Sequence, residues 1–242
     1  MKQINKYIWG HLKNPNFSIV ERLHINKDTG NRHYNYHPKT KAELKELVKK
    51  LIKERGNDAN LNDIDTSEIT DMSEVFYYSR FNGDISKWDV SNVKNMESMF
   101  SNSDFNGDIS NWDVSNVKDM SYIFYMSNFN GDISEWDVSN VEDMKYMFYD
   151  SKFNGDISKW DVSNVKDMHY MFDSSKFTGK NGDISNWDVR NVEDMRRMFS
   201  NSKFNGDISK WDVSKVEDTL GIFVNSPLEK NPPKWYKLMN SL

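Results

Sequence analysis

The chain has 242 residues, of which 29% are charged and 37% hydrophobic, values that are ordinary for a globular or repeat protein. It contains no cysteine, which excludes a disulfide framework and any metal site built on thiolates. No apolar stretch approaches the length of a membrane span, and the first ten residues lack the apolar core of a secretory signal peptide. We therefore expect no membrane insertion and, from the residues as they stand, a cytoplasmic or virus-associated protein.

Charge divides the chain into a basic head and an acidic remainder. Residues 1–56 carry 13 basic and 5 acidic side chains, a net charge of +8, whereas residues 57–242 carry 19 and 32, a net charge of −13. Within the head, a run of basic side chains could meet nucleic acid or an acidic protein. A solvated helix face docked against the acidic remainder is the simpler interpretation, and we expect no nucleic-acid partner. The run is Lys39, Lys41, Lys45, Lys49, Lys50, Lys53 and Arg55.

The head itself has the pattern of a small α+β cap. Residues 18–36 alternate around Lys27-Asp28-Thr29-Gly30, which predicts a β-hairpin. Thr40 and Glu43 then have the spacing of a capping box, and Gly56 ends the predicted helix. Its apolar stripe comprises Leu44, Leu47, Val48, Leu51 and Ile52. We expect residues 1–56 to shield the first repeat that follows them.

A 24-residue unit, Phe-Asn-Gly-Asp-Ile-Ser-x-Trp-Asp-Val followed by Val-x-x-Met-x-x-Met-Phe, is written six times after the head. Its tryptophans, Trp88, Trp112, Trp136, Trp160, Trp187 and Trp211, are spaced 24, 24, 24, 27 and 24 residues apart. The longer step is an insertion around Thr178-Gly179-Lys180, and a weaker copy precedes the first unit around Ile64. A fixed period of this size predicts a solenoid of about seven coils.

Within one unit the pattern predicts a short strand and a short helix. Trp88 and Val90 alternate with polar residues, as in a half-buried strand. Val93, Met96 and Met99 recur at helical spacing. An Asn-Gly-Asp turn, in which we expect Gly83 to supply a positive φ, separates the elements. One isolated unit buries too little apolar surface to offset the entropy of ordering it, so neighbouring coils must stack. We expect an α/β solenoid over residues 57–226 and a C-terminal cap over 227–242.

The segment Ile85-x-x-Trp88-x-Val90-x-x-Val93 follows the leucine-rich-repeat pattern. Together with the Met-x-x-Met-Phe end, the unit resembles the BspA-like leucine-rich-repeat proteins of bacteria and mycoplasmas. The resemblance covers residues 61–223, and the tail Asn231-Pro232-Pro233-Lys234-Trp235-Tyr236 is similar to the usual ending of that family. It implies a right-handed leucine-rich-repeat-like solenoid and a surface protein concerned with adhesion and host contact.

Repeated carboxylates form two predicted ladders, one through Asp89 and its equivalents and one through Asp84 and its equivalents. Calcium could neutralise them, and a calcium-dependent structural or adhesive protein is one alternative function. Hydrogen bonds from turn amides and serines are the interpretation that we favour, because no calcium-loop spacing occurs. No nucleophile–base set, phosphate-binding loop or cofactor motif is present, so we predict a non-enzyme without metal or cofactor.

A binding site should use residues that the repeat does not dictate. Tyrosines cluster on one flank of the central coils, in two columns, and tyrosine is enriched in protein interfaces. The predicted protein-binding residues are Tyr77, Tyr122, Tyr125, Tyr146, Tyr149 and Tyr170. The alternative is that the rings merely fill the seam between coils. We therefore predict a monomeric, protein-binding or adhesion-type repeat scaffold.

Overall fold

The computed structural model describes residues 34–239, and its longest helix, α1, spans Lys41–Arg55. The side chain of Thr40 accepts a hydrogen bond from the N–H of Glu43 at 3.2 Å, which satisfies one of the unpaired donors of the first turn. The Glu43 carboxylate accepts in return from the N–H of Lys39 at 2.7 Å. The predicted helix is confirmed. The predicted hairpin lies mostly outside the described residues.

Helix α1 packs against the first coil through both its apolar and its basic side chains. Leu44, Leu47, Val48 and Leu51 are buried, as the stripe predicted. At its two ends the helix makes ion pairs with acidic residues of the coil. These pairs are Lys39 with Glu68, Lys41 with Asp71 at 3.7 Å, Lys45 with Glu74 at 3.0 Å and Arg55 with Asp63 at 2.9 Å. Part of the basic run therefore forms ion pairs with the acidic first coil.

Successive units lie side by side and in parallel. Tyr36 pairs with Ile64 at the N-terminal end, and Asn60 pairs with Asp84. One further pairing site recurs in every coil, where each residue pairs with its equivalent in the next coil. These residues are Asp71, Asn95, Asp119, Asp143, Asp167, Asp194 and Asp218. The insertion at Thr178-Gly179-Lys180 leaves this register intact, since Asp167 still pairs with Asp194. Each coil thus contacts the coil before it and the coil after it.

The short helices and strands predicted for each unit are not formed, and both predictions are wrong. Helices outside α1 are confined to α2, Pro227–Lys230, and α3, Lys234–Met239, and between residues 57 and 226 every β-pairing is an isolated bridge. Around Trp88 the backbone closes a turn, because the Trp88 N–H donates to the Ile85 carbonyl at 3.1 Å. No helix in the described part of the chain is long and apolar enough to cross a membrane.

In place of each helix the chain forms a ribbon of overlapping turns. The N–H of Ile123 donates to the carbonyl of Met120 three residues earlier, at 3.3 Å. The N–H groups of Tyr122 and Phe124 donate instead to Lys145 and Met147 of the next coil, each at 3.0 Å. A helix would direct all of these donors along its own axis and leave none for the neighbour. The ribbon buries the same i, i+3 and i+4 side chains as a helix, so apolar spacing alone does not distinguish them.

The core is a set of aromatic columns that run through the stack. One column of phenylalanines has ring centroids 5.5–6.3 Å apart and comprises Phe76, Phe100, Phe124, Phe148, Phe172, Phe199 and Phe223. Beside it, each repeat tryptophan donates its Nε1–H to a carbonyl of the preceding coil. Trp136 donates to Ile109 at 3.1 Å, and Trp160 to Ile133 at 3.0 Å. Because the same geometry recurs in each coil, the buried N–H of each indole has a hydrogen-bond acceptor.

The repeat glycine is required for space and not for a positive φ, which corrects the expectation for the turn at Gly83. A Cβ at Gly131 would lie 2.9 Å from two ring carbons of Phe129. Positive φ angles occur instead at non-glycine residues of the ribbon, such as Ser98 at 57° and Asn102 at 54°. The glycine thus lets the backbone lie against the ring of the phenylalanine two residues earlier.

The C-terminal segment ends the stack by supplying one more tryptophan. Trp235 lies 24 residues after Trp211, is buried, and donates its Nε1–H to the Ile208 carbonyl at 2.8 Å. Tyr236 and Met239 pack against the same core, whereas Leu238 is 68% exposed. Helices α2 and α3 thus close the last coil. The right-handed sense and the leucine-rich-repeat-like class of the stack stay predictions.

Replacing Gly131 by alanine should destabilise the protein by about 1–3 kcal/mol, because the added methyl group overlaps the ring of Phe129. Urea denaturation followed by tryptophan fluorescence measures the shift in midpoint. Glu135→Ala is the matched control in the same coil, since its exposed side chain forms only a surface ion pair with Lys159. Its effect should stay within about 0.5 kcal/mol. Equal midpoints for the two variants would contradict the close-approach argument.

Candidate functional site

The repeated aspartates are occupied by hydrogen bonds within their own turns. The Asp108 carboxylate accepts from the amide of Ser110 at 3.0 Å and from its hydroxyl at 2.7 Å. Asp89 accepts from Ser91 in the same way, at 3.1 and 2.6 Å. Hydrogen bonds from the serine amide and hydroxyl hold the pKa of Asp108 below its usual value. These contacts are the ones favoured from the sequence, and they let each carboxylate stay ionised without a bound cation.

The predicted binding tyrosines form most of one exposed surface, which we call the tyrosine face. Its first column comprises Tyr122, Tyr146 and Tyr170, whose ring centroids are 4.7 Å apart at each step. Its second column comprises Tyr125 and Tyr149, with centroids 4.9 Å apart. All five rings are partly buried. Because the rings within a column are nearly parallel, the flat faces of neighbouring rings cover one another.

The coil imposes the backbone of the first column. The φ angles of Tyr122, Tyr146 and Tyr170 are 58°, 55° and 58°. They lie in the left-handed region, which residues other than glycine rarely adopt. Ser98 and Arg197, at the same place in neighbouring coils, have φ angles of 57° and 52°. The strain therefore belongs to the turn ribbon and not to the tyrosines. Every residue at this position projects outward in the same direction, which is why identical rings stack.

Tyr77 belongs to the second column by sequence, but the structure does not bring it into the stack. Ser101 separates it from Tyr125, and its ring instead contacts that of Tyr78 edge-on, with centroids 4.6 Å apart. Tyr77 and Tyr78 are 47% and 68% exposed. They line a groove of about 630 Å³ between α1 and the first coil, together with Lys49 and Arg80. The sequence analysis did not single out Tyr78, although its neighbour Tyr77 was included.

The C-terminal end of the first column is closed by a charged pair that the sequence analysis did not anticipate. The guanidinium of Arg197 lies over the ring of Tyr170, 5.3 Å from its centroid. Its Nε donates to the carboxylate of Asp173 at 3.1 Å, and Asp173 is 1% exposed. A cation held this way on an aromatic face is a favourable arrangement. Arg197 and Asp173 both occupy positions of the tyrosine columns. Two opposite charges at such positions in adjacent coils are the sequence signal that could have revealed the pair.

A third column, next to the tyrosines, carries side chains paired with acids of the bridge positions. Lys145 bonds Asp143 at 2.6 Å, and His169 bonds Asp167 at 2.6 Å. Among the described residues, one group has the spacing to hold a metal ion, namely Asp167, His169 and Asp194, with ligand atoms within 4.8 Å of one another. The guanidinium of Arg196 already engages the Asp194 carboxylate at 2.6 Å. A cation would have to displace that guanidinium.

Packing of the rings against one another changes the acidity of the phenols. Burial raises the pKa of Tyr146 to about 12, and the neighbouring phenols of Tyr122 and Tyr170 add to the shift. Burial also raises the pKa of Tyr122, Tyr125 and Tyr149. These hydroxyl groups are therefore neutral hydrogen-bond donors and acceptors over the physiological range. They can bond a partner without carrying charge into the interface.

The stacked coils and aromatic core of the described residues define a repeat protein. The family described as "Mycoplasma protein of unknown function, DUF285" matches residues 43–152 and 126–235. These two matches cover most of the chain, and the protein belongs to that family. No curated protein and no solved structure matches the sequence. The family assignment therefore agrees with a repeat protein and leaves the function to be argued from the structure.

Alkaline pH should expose the contribution of the tyrosine column to stability. In the folded protein the pKa of Tyr146 is about 12, against about 10 for tyrosine in an unfolded chain. The stabilisation is complete below the unfolded pKa and is lost as pH rises through the folded pKa. Thermal melts should therefore fall between about pH 10 and 12, and Tyr146→Phe should fall less steeply. Identical alkaline profiles for the two proteins would contradict the shifted phenol.

Proposed function

We propose that the protein is a non-enzymatic scaffold that binds another protein through the tyrosine face. The observation that carries the proposal is the placement of five stacked tyrosines at positions that the core does not require. The same positions hold serine in the second coil and arginine or serine in the sixth, with an unchanged backbone. Tyrosine is therefore not needed to form the coil. Its concentration in three adjacent coils supports a role in recognition.

The stacking itself favours a protein as the partner. Sugars and nucleobases bind tyrosine through the flat face of the ring. Here the faces of Tyr146 are covered on both sides by Tyr122 and Tyr170, at 4.7 Å. The rings offer edges and neutral hydroxyl groups, which suit the mixed apolar and polar surface of a protein interface.

We also propose the finer class that the sequence suggested. The repeat pattern and its ending favour a right-handed leucine-rich-repeat-like solenoid of the BspA-like type, with an adhesive role at a surface. Membership of a repeat family of unknown function is compatible with this class. The parallel stack and the Trp235 cap support an elongated scaffold in which each coil adds one row to the binding face.

The two alternative functions have less support in the contacts. For nucleic acid, the basic residues Lys39, Lys41 and Lys45 already form ion pairs with Glu68, Asp71 and Glu74. For calcium, the ladder carboxylates accept hydrogen bonds from their own serines. We therefore retain protein binding as the proposed function and treat calcium dependence as a test.

Changing the three residues of the first column should remove binding without unfolding the chain. Tyr122, Tyr146 and Tyr170 are replaced together by phenylalanine, which keeps the stacked rings and removes the three hydroxyl groups. Each lost hydrogen bond should weaken capture of a partner from a host-cell lysate by about threefold to tenfold. Replacement by serine should abolish capture. The melting temperature of each variant shows whether the coils remain stacked.

The matched control uses the residues four positions earlier in the same three coils. Lys118, Glu142 and Lys166 form a surface ion-pair row, with Lys–Glu distances of 3.2 and 2.9 Å. Their replacement by serine should leave capture unchanged, since exposed pairs of this kind contribute about 0–1 kcal/mol to folding. Equal capture by the tyrosine and control variants would disprove the proposed site.

Removal of divalent cations should leave the protein unchanged if the carboxylates are satisfied internally. We expect the same melting temperature in calcium and in excess chelator, because ladder aspartates such as Asp108 already accept from an amide and a hydroxyl group, and Asp188 accepts from the guanidinium of Arg190. Differential scanning fluorimetry measures both conditions on one sample. A large fall in melting temperature with chelator would instead favour the calcium-dependent alternative.

A further inference from the structure

The two ends of the first tyrosine column differ in a way that points to a ligand. At the C-terminal end, the ring of Tyr170 is covered by the Arg197 guanidinium, which Asp173 holds in place. At the N-terminal end, the residue next to Tyr122 in the column is Ser98. Within residues 34–239, the ring contacts of Tyr122 are with Tyr125 and Tyr146 only, and no cation lies over it. Among the described residues, no ring or guanidinium therefore covers its outer face.

The backbone at the open end is equivalent to the backbone at the closed end. Ser98 has a φ of 57° and Arg197 a φ of 52°, and both donate their N–H to a carbonyl of the following coil at 2.9 and 3.0 Å. A side chain at either position therefore projects along the same column. Serine is too short to cover the neighbouring ring, so the space that arginine fills at one end is vacant at the other.

The open position also carries the carboxylate of Glu97, for which the described residues supply no ion pair. In the neighbouring column, Lys145, His169 and Arg196 each pair with an aspartate two residues earlier. Glu97 occupies the equivalent place in the second coil and follows Asn95, whose side chain accepts the Glu97 amide at 2.8 Å. In the described part of the chain no basic group lies within ion-pair distance of the Glu97 carboxylate. It is the one acidic side chain in a column of bases and serines.

The nearby cations are committed to other acids. Lys145 bonds Asp143, and Lys45 bonds Glu74 at 3.0 Å. Lys41 lies against Ser73 and Asp71. Partial burial, together with the charges of Asp119 and Glu74, raises the pKa of Glu97. An incoming cation would therefore relieve repulsion as well as gain contacts.

We propose that the ring face of Tyr122, the Ser98 position and the Glu97 carboxylate form a seat for an arginine side chain of the protein partner. A guanidinium is flat, stacks on an aromatic ring and donates two parallel hydrogen bonds to a carboxylate. Lysine offers a compact, strongly hydrated charge and fits such a seat less well. An arginine in this seat would make the two kinds of contact that Arg197 makes within the chain, one with a tyrosine ring and one with a carboxylate. The inference rests on the proposed protein-binding function of the tyrosine face and names one contact of its partner.

The first test uses Nα-acetyl-arginine N-methylamide and its lysine counterpart as probes. Protein with isotope-labelled tyrosine rings is titrated by NMR, and the Tyr122 signal is assigned as the one lost in Tyr122→Phe. We expect a saturable shift of that signal with the arginine compound and binding at least about threefold weaker with the lysine compound. Glu97→Gln should weaken arginine binding by about threefold to tenfold. No shift up to the solubility limit, or equal binding of both compounds, would overturn the proposal.

The second test fills the seat from the chain itself. Ser98→Arg places a guanidinium where Arg197 lies in the sixth coil, on a backbone that already accepts arginine, and should abolish binding of the arginine probe. Asn102→Arg is the matched control, because it adds the same charge to the same coil at a position with a φ of 54°. The control should retain binding, and unchanged binding by Ser98→Arg would refute the seat. If the probe does not bind but lysate capture still requires Tyr122, Tyr146 and Tyr170, only this inference fails; if capture does not require them, the proposed function fails.

Discussion

Hydrogen bonding between successive coils is the constraint on which the molecule depends. Each ribbon sends alternate N–H groups to the next coil, as Tyr122 and Phe124 do to Lys145 and Met147. Each tryptophan sends its Nε1–H back to the preceding coil, as Trp136 does to Ile109. A coil on its own would leave these buried donors without acceptors, at a cost of about 1–3 kcal/mol each. Equivalent residues of successive coils must therefore lie in register, and the three-residue insertion at Thr178-Gly179-Lys180 is tolerated because it leaves that register intact.

This constraint separates residues that build the stack from residues that are free to recognise a partner. Phe129, Gly131 and Trp136 are fixed by ring packing, backbone approach and an indole hydrogen bond. Positions such as Tyr146 face outward, and the coil accepts serine, tyrosine or arginine there on nearly the same φ. Because the coils are in register, the side chain at one such position lies beside the side chains at the same position in the neighbouring coils. A binding face therefore arises by changing a few residues per coil.

The sequence predicted the period, α1, the buried side chains and the tyrosine columns, because each depends on residue spacing. It did not predict the turn ribbon, since a ribbon and a helix bury the same i, i+3 and i+4 residues. The sequence also led to a wrong role for Gly83. A glycine in a turn can provide either a positive φ or room for a close approach, and only packing, such as that against Phe81, distinguishes the two. The contact of Arg197 with Tyr170 and Asp173 depends on side-chain reach between coils, which no repeat pattern contains.

The direction of the tryptophan bond explains why the two ends of the stack are built differently. The first coil has Ile64 where later coils have tryptophan, and Trp88 of the second coil bonds the Leu61 carbonyl of the first at 3.0 Å. Residues 34–56 contain no copy of the repeat, and α1 packs on that side of the first coil instead. The carbonyl of Ile208 in the last coil accepts the Nε1–H of Trp235, although no complete eighth coil follows. Because the tryptophan bond always points toward the preceding coil, the stack needs an apolar cover at its start and an indole N–H donor at its end.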